Sequence, residues 1–123
     1  MALSASKFDR ITGYMLAVDG ASSNAVVSDV FSGTGTIYSI DVDNTSGSNT
    51  NYLKLFLSTV NPTLGSTLPD LILRCPTLTR EVWTLPEGLA FTSCSFASTL
   101  NPSPTDATAV AGSVKVRIVA STS

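Results

Sequence analysis

Hydrophobic and polar positions alternate with a period of two along much of this chain, the spacing that predicts β-strands. Between Gly35 and Leu57, Tyr38, Ile40 and Val42 alternate with Ser39, Asp41 and Asp43, and Leu53, Leu55 and Leu57 alternate with Tyr52, Lys54 and Phe56. Asn44 to Asn51 joins these two strands, and its Asn, Ser, Thr and Gly residues favour turns by local hydrogen bonding. The pattern leaves open whether the two strands pair directly or lie in opposite sheets. The cleanest alternation is Ser113 to Val119, with Val114, Val116 and Ile118 facing in and Lys115 and Arg117 facing out.

Shorter runs add to the count. Gly13 to Val18 reads as a short strand before an Asp19-Gly20 turn, and Ala25 to Ser32 as a strand closed by Gly33-Thr34-Gly35. Asn61 to Asp70 carries two prolines and a glycine, which suits a loop or crossover because proline cannot donate to a ladder. Leu71 to Cys75 is a nearly continuous apolar strand, stopped by Pro76. In Arg80 to Leu85, Val82 and Thr84 share one face and Trp83 and Leu85 the other. Pro86-Glu87-Gly88 is read as a tight turn. Leu89 to Thr92 and Ser95 to Ser98 then form one interrupted strand or two short ones, and Asn101 to Asp106 forms a loop. About eight strands result, with no segment spaced for a helix. The predicted fold is an all-β, single-domain antiparallel β-sandwich, jelly-roll-like, over residues 25–123. Residues 1–24 are either its first strand or an N-terminal arm, with Met1 to Arg10 favouring the arm.

Composition agrees with strands and narrows the function. The 123 residues suffice for one core without a metal or disulfide staple. Charged residues make up 13%, about half the globular norm of roughly 25%. Their place is taken by 18 Ser, 16 Thr and 6 Asn, residues suited to strands and turns. So few charges fit either obligate assembly or an uncharged, hydrated surface. A net charge of −2 and seven scattered Lys and Arg give no case for nucleic acid. The N-terminus has no signal-peptide pattern, and no run approaches the ~20 apolar residues of a membrane helix. Without a secretion signal, Cys75 and Cys94 are read as two free, partly buried thiols rather than a disulfide.

Candidate chemistry is sparse. The chain has no histidine, which removes Ser-His-Asp and Cys-His nucleophiles and the usual zinc ligand. Asp41 and Asp43 invite a calcium reading, but Thr45 and Tyr52 break the calcium-loop pattern, and both aspartates are placed on a solvated face. Trp83 with Tyr38, Tyr52 and Phe56 is a conceivable sugar-stacking set, more economically read as core or interface. No catalytic, cofactor-binding or metal-binding residue is assigned, and the chain is expected not to be an enzyme.

Four segments then recur in a familiar order: Ile37 to Thr45 (IYSIDVDNT), Tyr52 to Phe56 (YLKLF), Pro62 to Pro69 (PTLGSTLP) and Leu85 to Phe91 (LPEGLAF). Together they resemble small virion structural proteins of tailed bacteriophages, most like a capsid decoration or cement protein. The resemblance implies a compact sandwich or jelly roll, a homotrimer, and a seat on the outer capsid surface bridging subunits of the major capsid protein. It also implies synthesis in the host bacterial cytoplasm and no cofactor. A neck, tail or fibre module of such a virion is the first alternative, and a carbohydrate-binding sandwich the more remote one.

Overall fold

A computed structural model describes residues 14–110 and 114–122; Met1 to Arg10, assigned to an arm, lie outside the described residues. Seven strands are formed: β1 (Tyr14–Ser22), β2 (Gly35–Asn44), β3 (Asn51–Phe56), β4 (Leu71–Cys75), β5 (Thr79–Phe91), β6 (Ser95–Thr99) and β7 (Val114–Thr122). They build two antiparallel sheets, one ordered β1-β7-β2-β5 and the other β4-β3-β6. The described residues contain no helix. β2 and β3 therefore do not form a hairpin. The loop Asn44–Asn51 carries the chain from one sheet to the other.

Ala25 to Ser32 is not a strand, contrary to the sequence pattern. It makes one bridge, Val27 with Phe96, whose N–H groups each bond the other's carbonyl, and beyond it Val30 N–H bonds the Cys94 carbonyl. Three of its four large apolar residues, Val27, Val30 and Phe31, are buried all the same. Placed beside β6, the segment occupies the position of an eighth strand. With it, the two sheets read 1-8-3-6 and 2-7-4-5 in chain order, the double Greek key of a jelly roll. A strand-like pattern was present because the side chains enter the core. The ladder is missing because Asp29 and Ser32 adopt positive φ, at 48° and 56°, and turn the backbone away.

Two turn signals in the sequence fall inside strands. Asp19-Gly20 lies in β1 at a register shift, where Asp19 pairs with Val116 and Ser22 with Val114. Pro86-Glu87-Gly88 lies inside β5, which runs unbroken as Thr79–Phe91. There the register jumps from Thr84 opposite Ser39 to Leu89 opposite Ile37. β5 is an edge strand, so a bulge can hold Pro86 without costing a central ladder bond. Gly88 has φ 80°, and a Cβ there would collide with Thr36 Cγ2. The same irregularity leaves Tyr38 as the extra residue of β2 against β7. The phase of β2 therefore switches: Ile37 and Ile40 both point into the core, and Tyr38, expected beside Ile40, does not.

The core lies between the sheets. Ile37, Ile40 and Val42 from β2, Val114, Val116 and Ile118 from β7, and Leu53, Leu55 and Phe96 opposite them are all at most 1% exposed. The alternation of Lys115 and Arg117 away from that core is as expected. Cys75 and Cys94 are buried and unbridged.

Candidate contact surface

The two sheets treat their outer faces differently. On β4-β3-β6, Lys54 and Phe56 alternate with the core residues Leu53 and Leu55 and so lie on the outer face, yet both are 0% exposed. Ala97 and Ser95, their partners on β6, are equally buried. Over Lys54 the cover comes from the chain following β6. Lys54 Nζ donates to the carbonyls of Ser103 (2.6 Å) and Asp106 (2.8 Å), which ties that loop down over the sheet. The loop is closed at its neck by Leu100 N–H to Thr108 and linked to the first loop by Asn24 Nδ2 to Ala107. Burial pulls the Lys54 ammonium below its ordinary pKa, and Asp106 nearby partly offsets this. A period-two reading placed Lys54 opposite the apolar side but could not show that a loop would return over it.

The outer face of β1-β7-β2-β5 has no such cover among the described residues. One row across it is Leu16, Val119, Ser39 and Thr84, and the next is Val18, Arg117, Asp41 and Val82. Tyr14 is 42% exposed, Leu16 37% and Val82 53%. Tyr14 meets Tyr38 edge to face, with ring centroids 5.4 Å apart.

The charges on this face largely neutralise one another. Arg80 grips Asp41 with two parallel bonds, Nε to Oδ1 at 3.0 Å and Nη2 to Oδ2 at 2.5 Å. Arg117 lies 3.6 Å from the same carboxylate. Asp41 was expected on a solvated face, but these two arginines leave it only 8% exposed. The Asp41 bonds hold the Arg80 guanidinium above its ordinary pKa. Asp43 instead accepts the hydroxyl and N–H of Thr45, which pull its carboxyl below 3.8. The two aspartates thus have separate partners, and no group of three or more His, Cys, Asp or Glu capable of holding a metal occurs among the described residues.

The other candidate groups sit elsewhere. Trp83 is partly buried and packs against the core from the inner face of β5, so it is not an open stacking platform. Burial raises the Cys75 thiol and pushes Cys94 up to about 12, which keeps both protonated and unreactive. At the end of the sandwich where Phe91 and Leu57 stop their strands, an open groove of about 440 Å³ is lined by Leu57, Asp70, Ala90 and Phe91. The adjoining loop exposes Val60 (55%) and Leu68 (66%). At the opposite end, Leu78 is 73% exposed at φ 60°, its N–H bonded to the Asn44 carbonyl. The residue pattern does not signal these exposed side chains, because their loops are spaced neither as strands nor as helices.

No family model matches the chain, and no curated protein matches it. Among solved structures, it is similar to the coat protein of Tobacco streak virus, with a TM-score of 0.42 and 13% identity over 94% of this chain and 90% of that one.

Proposed function

We propose that this chain is a non-enzymatic structural protein of a virus particle. In its finer form the proposal is a decoration protein of a tailed phage, homotrimeric, seated on the outer shell and bridging subunits of the major capsid protein. The observation that carries it is the outer face of β1-β7-β2-β5, left uncovered by the described residues. Its apolar side chains stand on a rigid sheet among charges already satisfied by one another, so a partner covering them need not strand a lone ion. A surface of this kind suits contact with protein. Jelly rolls also serve lectins and metal-dependent enzymes, and fold alone does not choose among them. Against a lectin stands the inward placement of Trp83. Against a metal-dependent enzyme stands the lack of histidine.

The four segments that carry the phage resemblance fall on β2, β3, the loop after β3 and the bulged part of β5. They are framework, which agrees with a structural role. Quantitative gel densitometry of purified particles containing this protein tests the proposal. Hundreds of copies per particle are expected; tens would indicate a neck or tail part, and absence from the particle would overturn the structural role.

A further inference from the structure

We infer that Lys7 to Gly13 crosses the end of the four-stranded sheet and seats Phe8 in the groove beside Leu57 and Phe91 of the same molecule. The contact is internal to one chain and independent of the role proposed above. Lys7 to Gly13 lie outside the described residues, but the start of β1 fixes where they join the sandwich and what they meet. Tyr14, Ser121, Thr36 and Ala90 are paired in one row across the sheet. The three residues beyond Tyr14 in that row are small and leave a shallow lane. The lane ends at Ala90, which lines the groove together with Thr34, Leu57, Asp70 and Phe91.

Length selects the residue that arrives. Three strand spacings make the lane about 14 Å long. An extended chain advances about 3.3 Å per residue, so Arg10 reaches β5, and Phe8, about 20 Å from Tyr14, passes Ala90 and lies over the groove. Both sit on one side of an extended segment, facing the sheet. Phe8 is the single aromatic residue from Met1 to Gly13. Gly13 stands where the chain must turn out of the direction of β1, the residue type that turns at least steric cost.

Charge selects the same segment. Among the described residues, every charge around the groove is negative. Asp70 lines it, Glu87 stands exposed on the β5 bulge three residues before Ala90, and Asp29 accepts the Gly33 N–H at 3.0 Å beside Thr34. The five described basic residues are placed elsewhere. Lys54 is buried with its ammonium held by Ser103 and Asp106; Arg80, Lys115 and Arg117 stand around Asp41 and Asp43; Arg74 is paired with Tyr52. Lys7 and Arg10, against Asp9, bring the missing positive charge, one base on each side of Phe8. A tether this short holds the segment at an effective concentration on the order of millimolar, above that of a second copy in dilute solution.

A nitroxide on Ser6→Cys tests this in the full, isotope-labelled chain; Cys75 and Cys94 are buried, so the label goes to the added thiol. The amides of Ala90, Phe91 and Thr92 are expected to broaden severalfold more than that of Leu78 at the opposite end. Phe8→Ala is expected to abolish the difference and Arg10→Glu to weaken it severalfold, while Arg10→Glu combined with Glu87→Arg restores it. Unchanged amide shifts along β2 and β7 check that each variant is folded. Equal broadening at both ends, broadening that Phe8→Ala leaves intact, or a charge swap that restores nothing overturns the inference. So does broadening of the same amides in an isotope-labelled chain without nitroxide, mixed with a nitroxide-bearing unlabelled one, because the segment would then come from a second copy.

Discussion

The outer faces of the two sheets are built from similar strands and end in opposite states. β3 turns Lys54 and Phe56 outward and both are fully buried, Lys54 under the loop that follows β6. β1 turns Tyr14 and Leu16 outward and both remain exposed. The difference shows which outward side chains the chain covers itself and which stay exposed among the described residues. The large loops lie with the three-stranded sheet, whose narrower span needs more cover. Outward side chains therefore have two states here: on the three-stranded sheet they belong to the buried interior, and on the four-stranded sheet they stand exposed among the described residues.

The sharpest way to break this comparison is to truncate one outward residue on each sheet. Phe56→Ala is expected to lose about 3–5 kcal/mol, the usual range for a fully buried phenylalanine. Leu16→Ala, at a concentration where the chain is monomeric, is expected to stay within about 0.5 kcal/mol of wild type, as exposed positions generally do. Urea unfolding of both variants measures the gap. Equal losses would mean that the bare face is part of the folding core.

That contrast also marks what was legible from the residues. Period two located β2, β3 and β7, because each has one face toward the core and one away, and a nearly continuous apolar run marked β4. It supplied most of β5 and β6 and the jelly-roll class. It failed where covalent neighbours and the sheet disagree. Pro86-Glu87-Gly88 has the composition of a turn, but on an edge strand the same residues make a bulge, and only the pairing partner decides which. Ala25 to Ser32 has a strand's side chains without a strand's ladder. Lys54 was placed on the right face, but its burial depends on Ser103 and Asp106, about fifty residues later in the chain. The candidate contact surface was hinted at by the low charge. Its location was not, since exposure is set by which face the long loops happen to cross.

A second, smaller effect tests how the loop is held over its sheet. Lys54→Met keeps the side-chain length but removes the ammonium, leaving the Ser103 and Asp106 carbonyls without their donors. The expected loss is about 1–3 kcal/mol at pH 7, the cost of unmade bonds to a charged group. The pH dependence has a definite sign. Burial lowers the folded-state pKa of Lys54 below 10.5. Between that lowered value and 10.5 the unfolded chain holds the proton and the folded chain releases it, so wild-type stability rises with pH there. Relative to Lys54→Met, the wild type should therefore gain as pH approaches 10.5, with the other alkaline titrations cancelling in the difference. A gap that narrows over this range would contradict the assignment.

The smallest effect concerns the loop's internal order, and it distinguishes a loop that is tied down from one that is also self-organised. The Asp106 carboxylate accepts four bonds: from Thr108 Oγ1 at 2.7 Å and Thr108 N–H at 3.3 Å, and from Asn101 N–H and Nδ2, both at 3.2 Å. These bonds, the Thr108 hydroxyl first, hold its pKa below 3.8. An acid with a depressed folded pKa contributes stability above its unfolded value and loses it as pH falls through the folded one. Amide exchange at Leu100, whose N–H bonds the Thr108 carbonyl across the loop neck, reports this order directly. In Asp106→Asn the Leu100 amide should exchange severalfold faster than wild type near neutral pH, and the two should converge once pH falls well below 3.8. Lys54 stays charged throughout that range, so its bonds to Ser103 and Asp106 keep the loop on the sheet while its neck loosens. If Phe56 became exposed together with the neck, anchoring and internal order would be one cooperative unit, and the cover over this sheet would be no more independent of the core than a strand is.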